Sequence, residues 1–268
     1  MTPSAKNPLR SAARRFLPTE VRHLLREMIY GPRVDEVALV HRLLSDGPKE
    51  RVMVDVGAHH GASLEAFGRD GWNVLAFEPD PDNRAELERT CRGMKNVTID
   101  PRALSDHASD EMPWFQSDVS TGISSLQAFH DSHALTGCVE VTTLAQALEA
   151  HKVEQVDFLK IDAEGLDLFV LRGNPWEWLA PQVIVCEFED EKTNALGYSF
   201  RDLADYLVEH DYHVLVSEWY PITQYGGEHR WRRYVPYPCE LVNVSAWGNL
   251  IAVRVRDTFW KLQDLAHR

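Results

Sequence analysis

Short, nearly unbroken apolar runs alternate with helically spaced segments along most of this chain. Val52, Met53, Val54 and Val56 form the first run. It is too short for a helix and is closed by glycines, so it predicts a buried parallel strand. Residues 72–77, 156–162 and 181–188 repeat the pattern, and the short segment 97–100 reads as a further strand. Between them, residues 62–69, 82–91, 144–150, 166–171 and 200–210 carry apolar positions at helical spacing. Strands and helices in alternation predict an α/β domain, with helices on both faces of a mostly parallel sheet. Residues 213–217 and 250–253 read as the closing pair of strands, one of them antiparallel.

The pattern weakens in three places. Residues 117–137 are rich in Ser, Asp, His and Gly. They read as a long loop over the ligand edge, between a short strand at 112–116 and an extra strand at 139–142. Residues 218–248 are rich in Trp, Tyr and Pro. Residues 1–33 form a distinct basic segment: Lys6, Arg10, Arg14, Arg15, Arg22, Arg26 and Arg33 outnumber Glu20 and Glu27. There Pro18 can start a helix carrying Val21, Leu24, Leu25, Met28 and Ile29 at helical spacing. Such a helix packs on the main domain, residues 34–268, or docks weakly on an anionic membrane or a partner. A second helix is expected over 35–44.

Composition narrows the function. With 44% hydrophobic and 26% charged residues, the 268-residue chain is an ordinary globular sequence, long enough for one full core. A net charge of −13 argues against nucleic acid as a partner, because phosphate contacts need clustered Lys and Arg. Cys91, Cys138, Cys186 and Cys239 are scattered, with no C-x-x-C pair. They indicate free thiols in a reducing cytoplasm rather than a zinc site or disulfide framework. No apolar run reaches a membrane span.

The chemistry concentrates at strand ends. Asp55 closes the first run, and Gly57 and Gly61 follow, where the backbone can turn sharply and approach a ligand. Glu78 stands at the tip of the second strand, placed to accept both hydroxyls of a ribose. The pattern is D-x-G-x-x-x-G; His59 and Ala62 stand where a dinucleotide fingerprint needs glycine. No G-K-[ST] follows, so this is not a phosphate loop either. A turn of this kind suits a nucleoside carrying an amino acid, S-adenosylmethionine. Asp162, Glu164 and Glu187 follow later strands at the same sheet edge.

These motifs resemble the FkbM family of S-adenosylmethionine-dependent methyltransferases. The carriers are residues 54–61 (VDVGAHHG), 77–79 (FEP), 124–126 (SSL), 141–144 (VTTL) and 157–165 (DFLKIDAEG). The family usually has Asn where His59 stands and Val where Ala163 stands. The resemblance implies a Rossmann-like class I methyltransferase sheet and methyl transfer to a hydroxyl, often on a sugar or secondary metabolite. It places Asp55, Gly57, Ala58, His59, Gly61, Glu78, Pro79, Ala103 and Asp162 around the cofactor. Asp162 is the first candidate for accepting the hydroxyl proton or orienting the hydroxyl, with Glu164 and Lys160 second. Glu187, Ser125 and His130 are candidates for the acceptor. His133, Trp219, Tyr220, Tyr225, His229, Trp231 and Tyr234 are further aromatic candidates for a sugar pocket. A divalent metal on Asp162 and Glu187, with Glu189 as a third ligand, stays open. A different acceptor class, such as an amine or a carboxylate, and a non-catalytic scaffold are the competing readings.

Overall fold

The computed structural model describes residues 33–47 and 50–268. The amphipathic helix expected over residues 18–29 lies outside the described residues. Helix α1 (Glu36–Leu43) starts on Asp35, whose carboxylate accepts the Ala38 N–H. Then come β1 (Val52–Val56), α2 (Glu65–Arg69), β2 (Asn73–Phe77), α3 (Pro81–Thr90) and β3 (Val97–Asp100). A small second sheet follows, made of β4 (Ala103–Leu104), β5 (Ser109–Ser117) and β6 (His133–Thr142). The chain returns to the main sheet through α4 (Leu144–Ala150), β7 (Phe158–Ile161), α5 (Asp167–Arg172) and β8 (Val183–Glu189). It ends with α6 (Asp190–Thr193), α7 (Phe200–Glu209), β9 (His213–Trp219), β10 (Trp231–Pro236), β11 (Trp247–Val253) and α8 (Arg256–Ala266).

The main sheet runs β3-β2-β1-β7-β8-β11-β9-β10. Strands β3, β2, β1, β7 and β8 are parallel neighbours. Strand β11 is antiparallel to both β8 and β9, as expected of the closing pair. Strand β10 adds a second antiparallel strand at the edge, paired with β9. The order reverses between β1 and β7, and at such a switch point the carboxyl ends of the strands open a ligand crevice.

Strand alternation builds two cores, because successive side chains point to opposite faces. Val54, Val56, Leu75, Phe77, Leu159 and Ile161 face one way, packing with Leu148 of α4, Leu168 of α5 and Leu203 of α7. Met53, Val74, Ala76 and Phe158 face the other way, packing with Val40 of α1, Phe67 of α2, Leu87 of α3 and Leu262 of α8. The small sheet has its own cluster of Ala103, Trp114, Leu126 and Val141. Asp80 joins the two layers: it caps α3 through the Asp82 and Asn83 N–H groups and accepts the Gln116 amide of β5 at 2.5 Å.

Two expectations are corrected. The helix expected from residue 62 begins only at Glu65, after a turn that follows Gly61 at φ 86°. The loop expected over 117–137 is shorter, because His133 already pairs with Ser117. The first half of β6 is largely exposed, so no apolar run marks it. Sequence reading also misses β10, an edge strand without a fully buried residue, and α8, which buries only Leu262.

Candidate active site

A cavity of about 610 Å³ opens at the carboxyl edge of the sheet, over the β1–β7 switch point. At one end lies the turn after β1. Gly57 has φ 74°, and both its N–H and that of Ala58 donate to the Phe77 carbonyl at the end of β2. Glu78 follows directly. Its carboxylate accepts the His59 N–H at 2.7 Å and the Asp80 N–H at 2.9 Å. Burial pushes the Glu78 carboxyl up to about 7, against the two N–H groups that favour its charged form. The two accepted bonds leave lone pairs on both oxygens, at a group that lines the cavity.

Beyond Glu78 the wall is made by Arg102, Ala103 and Leu104. The Arg102 guanidinium lies bidentate on Asp100, with N–O distances of 2.9 and 2.6 Å, and His151 adds a contact of 2.8 Å. Burial alone would raise Asp100; these bonds outweigh it and hold the carboxyl below its ordinary value. Over the top lies the 120–126 segment, pinned at Thr121. Its hydroxyl meets the His59 ring at 3.0 Å, and its carbonyl accepts the Asn83 amide at 3.3 Å. The His59 ring is stacked on His60, and burial, then His60, lowers its pKa, favouring the neutral ring.

The other end is acidic. Asp162 follows β7, its side chain two-fifths exposed and 3.5 Å from Lys160 Nζ. Glu164 and Gly165 both take positive φ, 52° and 91°, so the turn after β7 is tightly wound. Lys192 of α6 is buried beneath it, with its ammonium 2.7 Å from Glu164, 2.8 Å from Glu187 and 2.9 Å from Glu189. Burial would strip the Lys192 proton, but the three carboxylates outweigh burial and hold the ammonium well above an ordinary lysine. Burial raises Glu164 to about 7 even beside that cation, with the Asp162 charge adding to the rise. Burial likewise raises Glu187 well above its ordinary value. Asp167 accepts the Glu187 N–H at 2.9 Å from beneath and, mainly through burial, is pushed up to about 7. Tyr225, His229 and Trp247 complete this wall.

Most sequence candidates meet here. Gly57, Ala58, His59, Glu78, Pro79, Ala103, Ser125, Lys160, Asp162, Glu164 and Glu187 all line the cavity. Three do not. Asp55 is fully buried beneath the turn, accepting the Ser63 hydroxyl at 2.5 Å and facing Lys160 at 3.3 Å. Gly61 faces α3, where a β carbon would meet Leu87 at 2.8 Å and Thr90 at 3.3 Å. His130 sits behind the wall, bonded to Ser132 and set edge-on to Tyr225. Lys160 is also corrected as a proton acceptor. Its ammonium donates to the Gly57 carbonyl at 2.8 Å, and Asp55 and Asp162 outweigh the opposing effect of burial to keep it charged.

Of the aromatic candidates, Tyr225 and His229 reach the cavity. The Trp219 indole is committed to Glu36, the Trp231 indole to Ser217 and the His133 ring to the Ile123 carbonyl. Sequence reading misses Lys192, Thr121 and Trp247. Lys192 carried a faint signal, standing three residues after Glu189, but its pairing with Glu164 spans 28 residues.

The strand order and the glycine turn, with a carboxylate at the tip of the second strand, define a class I methyltransferase architecture. The model of the methyltransferase FkbM domain matches residues 55–214, more than half of the chain. The chain therefore belongs to the FkbM family of S-adenosylmethionine-dependent methyltransferases. No curated protein matches it significantly. Among solved structures it is similar to the METTL16 methyltransferase domain: 13% identity, covering 87% of this chain and 77% of that one, TM-score 0.45. It is also similar to SMU.1697c of Streptococcus mutans, a putative methyltransferase solved with SAH: 11% identity, 84% and 100% covered, TM-score 0.44. A third is precorrin-6y C5,15-methyltransferase of Geobacter metallireducens GS-15: 13% identity, 81% and 86% covered, TM-score 0.43. These likenesses are too distant to bear on the reaction.

Proposed function

We propose that the chain transfers a methyl group to a hydroxyl of a sugar, a glycan or a secondary metabolite. One observation carries the reading: a single cavity joins the Gly57–Glu78 turn to an acidic, aromatic-walled end built by Asp162, Glu164, Glu187, Tyr225 and Trp247. A buried carboxylate with unspent lone pairs at Glu78, beside the Gly57 turn that lines the cavity, fits S-adenosylmethionine at the first end. Bound there, the cofactor supplies a methyl group carried on a positively charged sulfur.

The chain's own residues do the rest. Glu78 accepts the ribose hydroxyls, and Ala103 and Leu104 face the base. Asp162, exposed to the cavity, orients the acceptor hydroxyl. Glu164, with its carboxyl at about 7, accepts the hydroxyl proton as the oxygen takes up the methyl group. Tyr225 and Trp247 offer flat faces that suit a sugar ring, and Glu187 and Ser125 offer polar contacts at its rim. The 120–126 segment shields the site from water.

A cytoplasmic location is part of the same proposal, and the four free cysteines suit a reducing compartment. No helix among the described residues is long and apolar enough to cross a membrane. The test is a screen with methyl-labelled cofactor against sugars, glycosides and matched amines. Label incorporated into hydroxyl acceptors supports the proposal; label only in amines would replace it with N-methylation.

A further inference from the structure

We propose that Lys192 is the resident cation of the acceptor end, a positioning residue that holds Glu164 and Glu187 at the cavity edge as a divalent ion holds carboxylates in metal-dependent sites. The proposal rests on reading this edge as the acceptor end of the cavity. Asp162, Glu164 and Glu187 can each bring an oxygen within 4.8 Å of the others, a donor set that suits a hard cation. Two of those three carboxylates already face an ammonium. Lys192 Nζ donates to Glu164 at 2.7 Å and to Glu187 at 2.8 Å, and it lies 2.9 Å from Glu189 as an ion pair. The third, Asp162, has Lys160 as its cation at 3.5 Å. A metal ion would have to displace the ammonium from a place it fills.

The surroundings are shaped around that ammonium. A β carbon on Gly165 would stand 3.2 Å from the Lys192 β carbon, tighter than ordinary contact, so the turn after β7 packs closely on α6 at a residue without a side chain. The Tyr225 hydroxyl donates to the second oxygen of Glu189 at 2.9 Å, fixing the carboxylate deepest in the cage. The Phe129 and Tyr225 rings lie 5.4 and 5.8 Å from Nζ, within the range where a ring face attracts a cation. A flexible stem ending in a compact point charge reaches three carboxylates from one side. Glu164 and Glu187 are thereby fixed at the cavity wall, each with a second oxygen for acceptor hydroxyls.

The test is a titration of the full chain with Mn²⁺, followed by the electron paramagnetic resonance of free Mn²⁺. The native chain is expected to take up none at this site. K192A and K192Q are expected to gain one Mn²⁺ site, roughly ten-fold or more tighter than anything on the native chain. That site is lost again when E187Q is added, and K192R stays metal-free. A native chain that binds one Mn²⁺ and loses it on E187Q would overturn the proposal, whatever the folding of the variants. So would folded K192A and K192Q that gain no site, or K192R that gains one. Calorimetry with S-adenosylmethionine runs alongside: a native chain that fails to bind it sinks the functional reading, while the Mn²⁺ result still decides the role of Lys192.

Discussion

Gly57 and Asp162 stand back to back across the switch point: a β carbon on Gly57 would lie 2.0 Å from the Asp162 carbonyl oxygen. The two strand ends that frame the cavity therefore touch through bare backbone, and Lys160 tightens the junction by donating to the Gly57 carbonyl. Gly57→Ala must both relieve that clash and adopt φ 74°. It is expected to cost on the order of 1–3 kcal/mol of stability and to weaken S-adenosylmethionine binding by ~100-fold or more. Denaturant unfolding and calorimetry read the two effects separately.

Lys160 is the counter-charge of Asp55, which is fully buried. Lys160→Met leaves that carboxylate without its cation, at an expected cost of about 3–5 kcal/mol. Adding Asp55→Asn removes the stranded charge, so the double variant is expected to recover part of the loss. Equal stability of Lys160→Met and the native chain in urea would show that the pair does not bear on the fold.

The carboxyls of Glu78 and Glu164 both sit at about 7, raised from 4.5 mainly by burial. Between those values the folded chain binds more protons than the unfolded chain. Stability from these groups is therefore fully present below 4.5 and lost as pH rises through about 7. Glu78→Gln cannot ionise, so its melting temperature is expected to fall less than that of the native chain between pH 5 and 8. Cofactor binding runs the other way: protonated Glu78 has less capacity to accept from ribose, so native affinity is expected to drop as pH falls below about 7.

His59 meets Thr121 at 3.0 Å and thereby ties the 120–126 segment to the turn after β1. His59→Ala is expected to speed amide hydrogen exchange in residues 120–126 while leaving β1 and β7 protected. Unchanged exchange there would mean that the segment's other bonds, among them Asn83 to Thr121 and His133 to Ile123, hold it without His59.

Much of this was legible in the chain itself. Parallel strands buried on both faces write themselves as apolar runs, and β1, β2, β7 and β8 lie where those runs stand. Glycine at 57 and carboxylates at 78, 162, 164 and 187 marked the ligand edge, because strand ends converge there. What escaped has a physical reason. Strand β10 pairs on one side only, with no fully buried residue, so it carries no apolar run. Asp55 sits inside the motif yet points beneath the turn, because motif spacing does not fix which side of a strand faces the ligand. The Lys192 cage joins residues 164, 187 and 189 from two strand ends, and no linear spacing encodes that convergence.

The most direct measurement is a calorimetric titration of the purified chain with S-adenosylmethionine, beside Glu78→Ala. Binding by the native chain that weakens ~100-fold or more in the variant is the predicted result, since the variant loses the carboxylate placed for the ribose. Equal binding by both would remove Glu78 from the cofactor site. No binding by a well-folded native chain would contradict the central reading and leave the fold as a scaffold.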